Sequence, residues 1–200
     1  MTTKLTITIP IWLDFIFTCP LLAYRLLRYG YVYRRIYLGE GKYTIVDPRD
    51  FYWLNNFHWT LDGNGEHIYA VRNIMKAGAG TKTISLHREI MSHPKGLLVD
   101  HRNTDTLDNR RSNLRLATHS QNSCNRRKTS SKTSSRFRGV CFDKSRGRWS
   151  AHIRFHGKRM RLGRFKNEID AAKAYDAAAL EYHKEFARLN FPENFQSHSK

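Results

Sequence analysis

The stretch that decides the fold is Leu98–Asn122, which reads LVDHRNTDTLDNRRSNLRLATHSQN. It opens with a short apolar run that is typical of a buried strand and that ends on Asp100 and His101. A polar loop then leads to Asn113, and Leu114–Ala117 again has the pattern of a short strand. An apolar strand that places a carboxylate and an imidazole side by side at its end presents polar chemistry from a rigid element.

A helix is predicted directly after the second strand. Thr118 is followed three residues later by Gln121, which is the spacing of a capping box. Asn122 then lies in the first turns of this helix and points back toward the strand ends. The order strand, loop, strand, helix therefore brings together one set of polar side chains: Asp100, His101, Asn113 and Asn122.

These residue types suit metal-assisted hydrolysis. The carboxylate of Asp100 and the amide oxygen of Asn122 are hard donors suited to Mg²⁺ or Mn²⁺. His101, whose ordinary pKa is about 6.5, can accept a proton from an attacking water at neutral pH. Asn113 can accept a hydrogen bond from the imidazole or hold the loop in place. We therefore expect one metal site, one base and one orienting amide, with no organic cofactor.

Two other interpretations of these residues stay open. An Asp-His pair alone is usually a hydrogen bond at a strand end, and an Asn-rich loop is usually a turn. His119 and Asn125 lie one helical turn from Asn122 and are alternative ligands on the helix. Zinc binding through His119 and Cys124 is disfavoured, because no pair of ligands has metal spacing.

Composition points to a polyanionic partner. The 200 residues carry 35 Lys and Arg against 17 Asp and Glu, a net charge of +18, and residues 126–164 hold 14 basic side chains against Asp143 alone. Aromatic residues alternate with these charges, so a folded basic surface is expected. Three widely spaced cysteines argue against a secreted, disulfide-linked protein.

The chain is long enough for two small domains. Residues 42–125 form the first predicted domain, with a strand at residues 42–46, a helix from Asp47-Pro48, strands at 67–71 and 83–86, and a helix at 87–91. Residues 1–41 are an N-terminal extension to which no role is assigned. Leu21–Tyr37 is compatible with a basic amphipathic helix, and Pro10, Asp14 and Pro20 interrupt the apolar part, so no membrane span is expected.

A second domain is predicted at residues 136–192, after a basic linker at 126–135 and before a tail at 193–200. Its strands are expected at Phe137–Asp143, Arg148–Phe155 and Lys158–Phe165, with one apolar and one basic face. Asn167 is expected to cap an alanine-rich helix that runs to about Lys184. Linker and sheet together supply the predicted DNA contacts: Arg126, Arg127, Arg138, Lys144, Arg146, Arg148, Arg154, Arg159 and Arg161.

The first of these domains resembles the HNH endonucleases of phage and homing type. The residues that carry the resemblance are Val99-Asp100-His101, the loop Leu107–Asn113 with Leu114-Arg115, and Gln121-Asn122. The resemblance implies a ββα-metal fold in which Asp100 and Asn122 bind the metal, His101 is the general base and Asn113 supports it. Asn122 stands where many members have histidine, and the resemblance here is to the homing branch, which has asparagine at this position.

The second domain resembles the APETALA2/ethylene-response-factor DNA-binding domain. The matching residues include Phe137–Val140, Trp149–Arg154, Leu162–Phe165, Ala171–Ala179 and Leu189–Pro192. The resemblance implies that Arg148, Arg154, Arg159 and Arg161 lie where the sheet of the family reads DNA. The sequence departs from the plant pattern at Cys141, Asp143, His152 and Arg161, so the plant target sequence is not carried over, and a non-specific phosphate-binding sheet remains the alternative.

The fold expected is therefore α+β, a ββα-metal HNH nuclease domain followed by a three-stranded antiparallel sheet packed on one α-helix. The expected function is metal-dependent hydrolysis of double-stranded DNA in the cytoplasm of a bacterial or phage-infected cell, close to the nucleoid. A monomer would nick one strand, and a dimer could cut both.

Two alternative functions stay open. One is a DNA-binding regulator with an inactive nuclease head, and the other is a protein directed at RNA. The second is weakened because the predicted basic face has no aromatic stacking platform for RNA.

Overall fold

The computed structural model describes residues 11–65, 67–76, 80–125 and 134–193. These residues form two compact units. The first unit comprises the chain up to His93 together with Thr106–Leu114. The second comprises Pro94–Asp105 and the chain from Arg115 onward. This division does not follow the predicted domain boundaries, which remain a prediction.

In the first unit a helix precedes two small antiparallel sheets. The elements are α1 (Ile11–Tyr29), β1 (Arg34–Gly39), β2 (Lys42–Val46), α2 (Pro48–Asn55), β3 (Thr60–Asn64), β4 (His67–Lys76), β5 (Gly80–Ser85) and α3 (Leu86–Ile90). β1 pairs with β2, and β4 lies between β3 and β5. Buried side chains form the core, among them Leu54 of α2, Leu86 of α3 and Trp59, which lies just before β3.

The N-terminal segment differs from the amphipathic helix expected across residues 21–37. α1 ends at Tyr29, Gly30 takes a positive φ of 75°, and Arg34 and Arg35 belong to β1. The strand forms because Ile36 and Leu38 alternate with exposed residues and are both buried. None of the described helices is long and apolar enough to cross a membrane.

In the second unit a strand pair and a short helix precede a three-stranded sheet. β6 (Leu98–His101) pairs with β7 (Leu114–Ala117), and α4 (His119–Asn125) follows and packs against β6. The next strands, β8 (Val140–Asp143), β9 (Arg148–Phe155) and β10 (Lys158–Phe165), form an antiparallel sheet with β9 in the centre. α5 (Glu168–His183) and a 3-10 turn (Lys184–Phe186) come last. The protein is therefore mixed α and β, while the ββα-metal arrangement remains a prediction.

The sheet β8–β10 packs on α5 through small side chains. The helix buries alanines, among them Ala171, Ala172 and Ala179, against Val140, Ala151 and Ile153 of the sheet. At the start of β8 the backbone comes so close to α5 that a Cβ on Gly139 would lie 2.0 Å from the Tyr175 ring. Gly139 also has a φ of 73°, which glycine adopts without strain. The first predicted strand of this domain therefore begins only at Val140 and not at Phe137.

Candidate functional site

The strand β6 delivers the predicted carboxylate and imidazole from the interior of the second unit. Asp100 and His101 are only 6% and 5% exposed. Directly after them the chain turns, and the Thr104 N–H donates to the His101 carbonyl oxygen at 3.0 Å. Both side chains therefore lie on a short, buried strand end, which holds them more firmly than an exposed loop would.

Arg115 is a partner of Asp100 that the sequence interpretation did not identify. It lies on β7, next to β6, and its Nε and Nη2 atoms lie 2.8 Å and 2.7 Å from Asp100 Oδ2. Arg115 is itself only 6% exposed. A buried carboxylate needs such compensation, because an isolated charge in the interior is costly. No local signal identifies this partner, because the alternation in Leu114–Ala117 predicts a buried Leu116 and an exposed Arg115, whereas Leu116 is exposed and Arg115 is buried.

α4 begins as the capping box predicts. The Thr118 N–H donates to Gln121 Oε1 at 2.8 Å, and the Gln121 N–H donates to Thr118 Oγ1 at 3.3 Å. The cap fixes the first turn of the helix, where the N–H of the half-buried Asn122 donates to the Thr118 carbonyl oxygen. His119 is exposed on the same helix.

The donor chemistry of Asp100 and Asn122 fits a hard divalent ion. A carboxylate and an amide oxygen suit Mg²⁺ or Mn²⁺, with water at the remaining positions. Both residues lie in the second unit, on β6 and on the helix that packs against it. In the described part of the chain, no three His, Cys, Asp or Glu side chains are grouped so that they could hold a metal ion.

Asn113 belongs to the first unit and is buried there. Its Nδ2 donates to the Asp108 carbonyl oxygen at 2.8 Å, so it holds the polar loop. The same loop is fixed to β2, because Asn109 Nδ2 donates to Thr44 Oγ1 at 2.8 Å. It is also fixed to α2, since Arg111 forms an ion pair with Asp50. These contacts give the Asn- and Arg-rich loop a structural role, and the catalytic role of Asn113 stays a prediction.

One face of the sheet β8–β10 is basic. Along β9, Arg148 and Arg154 alternate with core residues, and the register places Arg159 opposite Arg154 and Arg161 opposite His152. These four arginines are exposed. Because paired residues in an antiparallel sheet share a face, the arginines lie on the face opposite α5.

Other predicted DNA contacts lie at the edges of this basic face. Lys144 and Arg146 are exposed in the turn between β8 and β9, and Arg146 forms an ion pair with Asp143 at 3.5 Å. Arg164, which the predicted set omitted, lies opposite Ser150 on the basic face and 3.7 Å from Asp143. Arg126 and Arg127 lie outside the described residues.

A cavity of about 390 Å³ opens beside this face. Arg138, Arg154 and Arg159 line it together with Cys141, His152 and Tyr175. Partial burial lowers the pKa of His152 below its ordinary value, and the neighbouring Arg159, Arg161 and Arg164 lower it further. His152 is therefore a neutral group among cations at pH 7, with its Nδ1 atom 3.9 Å from the thiol of Cys141.

Two segments of the chain match known protein families. Residues 92–124 match the HNH endonuclease family, and residues 135–185 match the AP2 domain family. The chain carries an HNH endonuclease segment and an AP2 domain. The resemblance seen in the sequence is confirmed for both, and HNH nucleases generally use a divalent metal.

Similar proteins come from plants and from a virus. The chain is 45% identical over 58 residues to APETALA2-like protein 2 of Oryza sativa subsp. indica, which is 29% of this chain and 13% of that protein. It is 48% identical over 59 residues to an AP2/ERF and B3 domain-containing protein of Oryza sativa subsp. japonica, 30% of this chain and 16% of that protein. It therefore spans only a small part of these plant relatives.

The viral relative is similar over most of the chain. It is an uncharacterized HNH endonuclease of Acanthamoeba polyphaga mimivirus, 29% identical over 152 residues, which are 76% of each protein. No solved structure matches this chain. Together the matches support a nuclease with a DNA-binding domain.

Proposed function

We propose that this protein is a metal-dependent endonuclease that hydrolyses phosphodiester bonds in duplex DNA, with the AP2 domain as its anchor. The observation that carries the proposal is the buried Asp100-His101 pair, which ends β6 inside the segment that matches HNH endonucleases. The arginine-rich face of the same chain supplies a surface for the polyanionic substrate.

In this proposal each polar residue has one role. Asp100 and Asn122 would hold the ion, which supplies Lewis acidity at a phosphate oxygen when it is bound. His101 takes the proton of the attacking water, because imidazole accepts protons at neutral pH. Asn113 holds the polar loop through its bond to Asp108.

The basic face would set the protein on duplex DNA. A twisted three-stranded sheet is narrow enough to enter the major groove, and the exposed Arg148, Arg154, Arg159 and Arg161 can contact phosphates or base edges. With one nuclease segment per chain, the monomer nicks one strand, and cleavage of both strands requires two copies or two events. We expect the protein to act in the cytoplasm of the bacterial or infected cell.

Cleavage of supercoiled plasmid tests the proposal. Wild-type protein with Mg²⁺ is expected to give open-circle product, and EDTA is expected to prevent it. His101→Ala should cleave about 10²- to 10⁴-fold more slowly, the usual contribution of a general base. His58→Ala, which changes an exposed histidine outside the HNH segment, is the matched control. Wild-type cleavage by a folded, DNA-bound His101→Ala variant would contradict the assignment.

A second candidate function is a DNA-binding regulator with an inactive nuclease head. The ion pair of Asp100 with Arg115 favours it, because the guanidinium already occupies Oδ2 of the carboxylate that would bind the ion. The same plasmid assay separates the two functions. A regulator retards the plasmid on a gel and leaves it supercoiled at every Mg²⁺ or Mn²⁺ concentration.

A further inference from the structure

Arg115 joins the carboxylate of Asp100 to the 3-10 turn Lys184–Phe186, which follows α5. Two of its nitrogens bind Asp100 Oδ2 at 2.8 Å and 2.7 Å. Its third nitrogen, Nη1, donates to the backbone carbonyl oxygen of Glu185 in the 3-10 turn. All of these residues belong to the second unit.

The turn holds the guanidinium from a second direction. The Cζ atom of Arg115 lies 3.9 Å from the centre of the Phe186 ring, and Phe186 is only 5% exposed. Arginine stacks on aromatic rings in this way because its cation is planar and weakly hydrated. Arg102, the residue after His101, also pairs with the Glu185 carboxylate at 3.0 Å, but the two side chains are 45% and 58% exposed, and an exposed ion pair contributes little.

The geometry leaves Arg115 little freedom. Its planar fork is bound on one edge by Asp100, at one nitrogen by a backbone carbonyl and on one face by a ring. A rotation of the guanidinium breaks at least one of these contacts. The direction in which the Asp100 carboxylate points is therefore fixed by the AP2 turn as well as by β6.

From these contacts we propose that Arg115 is a positioning residue that orients Asp100 for the metal, and that the turn Lys184–Phe186 of the AP2 domain completes the nuclease site. The inference rests on the proposed function, since it gives Asp100 its role toward the ion. The AP2 domain then has two tasks: it binds DNA through its sheet, and it supports the nuclease carboxylate through the turn after α5.

Three variants of the full chain test this inference. Arg115→Lys keeps the charge but cannot bind Asp100 and the Glu185 carbonyl with one planar fork. Phe186→Leu removes the stacked ring and touches neither Asp100 nor the DNA-binding face. Glu185→Gln is the matched control, because it removes the exposed ion pair with Arg102 and keeps the backbone carbonyl that binds Arg115.

The first measurement is binding of Mn²⁺ to the protein without DNA, by calorimetry. The second is the Mg²⁺ concentration for half-maximal plasmid nicking, and the third is affinity for duplex DNA in EDTA. Arg115→Lys is expected to weaken Mn²⁺ binding at least tenfold and Phe186→Leu at least threefold, with matching shifts in the Mg²⁺ requirement. DNA affinity should stay within twofold for all three variants, and Glu185→Gln should bind Mn²⁺ like the wild type.

Hydrogen exchange of the metal-free protein separates positioning from a general loss of fold. Phe186→Leu should speed exchange in Leu98–His101 while α5 stays protected. Metal binding and Mg²⁺ dependence that are unchanged in folded Arg115→Lys and Phe186→Leu would overturn this inference and leave the proposed function intact. A wild-type protein that neither binds Mn²⁺ nor nicks DNA would overturn the proposed function itself.

Discussion

Asp176 and Asn190 are joined by two hydrogen bonds to a single carboxylate oxygen. The backbone N–H and the side-chain Nδ2 of Asn190 donate to Asp176 Oδ1 at 2.8 Å and 3.0 Å. The other oxygen accepts the N–H of Phe191 at 2.9 Å, and Asp176 is 0% exposed. One buried carboxylate on α5 therefore fixes the segment that follows the 3-10 turn.

Asp176→Asn is expected to destabilise the protein. An amide has one oxygen, so its NH₂ group must face either the N–H of Phe191 or the two donors of Asn190. A buried donor left without an acceptor costs about 1–3 kcal/mol. Urea unfolding of the full chain measures this loss. Glu181→Gln, at an exposed position on the same helix, is the control, and an equal loss in both variants would contradict the argument.

The same carboxylate gives the stability a pH dependence of known sign. Burial raises the pKa of Asp176 above its ordinary value of 3.8, and the hydrogen bonds only partly oppose it. A carboxyl with a raised pKa in the folded state contributes stability that is complete below pH 3.8 and is lost as the pH rises through the raised value. The difference in the free energy of unfolding between the wild type and Asp176→Asn should therefore shrink as the pH rises through that range. A difference that grows with pH would show that folding lowers the pKa of Asp176.

Gly139→Ala is expected to cost more than Gly157→Ala. Both glycines have a φ near 75°, so both substitutions carry a strain of about 1–3 kcal/mol. A Cβ at Gly157 meets nothing within 4 Å, whereas one at Gly139 lies 2.0 Å from the Tyr175 ring and 2.7 Å from the His152 carbonyl oxygen. Overpacking adds about 1–3 kcal/mol. Thermal unfolding of the two variants measures the difference. Equal losses of stability would mean that Tyr175 and α5 shift away from residue 139 at no cost.

Local signals made part of this structure predictable. The capping box at Thr118 and the cap at Asn167, whose Oδ1 accepts the Asp170 N–H at 2.8 Å, depend on residues three apart. The alternation in β9 predicted the two faces of the sheet, because side chains of a strand alternate whatever the rest of the fold does. Asp100 and His101 were located at a strand end for the same reason.

The parts that sequence could not predict depend on distant partners. β3 has few apolar residues and forms because it pairs with β4. Arg115 is 15 residues from Asp100 and 70 from Glu185 in sequence, and no local pattern links them. An arginine beside a nuclease motif in a basic protein is expected to meet DNA, and here it is buried on the protein's own carboxylate.

Arg159→Gln is expected to reduce the salt dependence of DNA binding. Arg159 is exposed on the basic face, opposite Arg154. Each phosphate contact that is lost lowers the slope of log Kobs against log salt by about 0.9. Fluorescence anisotropy with a short duplex, at several salt concentrations in EDTA, measures the slope. Arg49→Gln, at an exposed arginine of α2, should leave the slope unchanged. An unchanged slope in Arg159→Gln would remove this residue from the interface.

His152 is expected to make DNA binding tighter at acid pH. It lies on the central strand β9 and is paired with Arg161 on the neighbouring strand β10. The thiol of Cys141 lies 3.9 Å from its Nδ1 atom. Burial and the surrounding Arg159, Arg161 and Arg164 lower its pKa, so it is neutral in the free protein at pH 7. DNA phosphates favour the protonated form, and a group that gains a proton in the complex must strengthen binding as the pH falls.

The pH dependence of DNA affinity distinguishes the contribution of His152 from that of the arginines on the basic face, because arginines keep their charge between pH 5 and pH 8. Between pH 8 and pH 5 at fixed salt, the wild-type affinity for a duplex should rise by roughly the contribution of one phosphate contact, about three- to tenfold. His152→Gln should abolish the rise, and His156→Gln, in the exposed turn between β9 and β10, should keep it. If His152→Gln retains the wild-type pH profile, the proton is taken up elsewhere and the DNA does not approach the centre of the sheet.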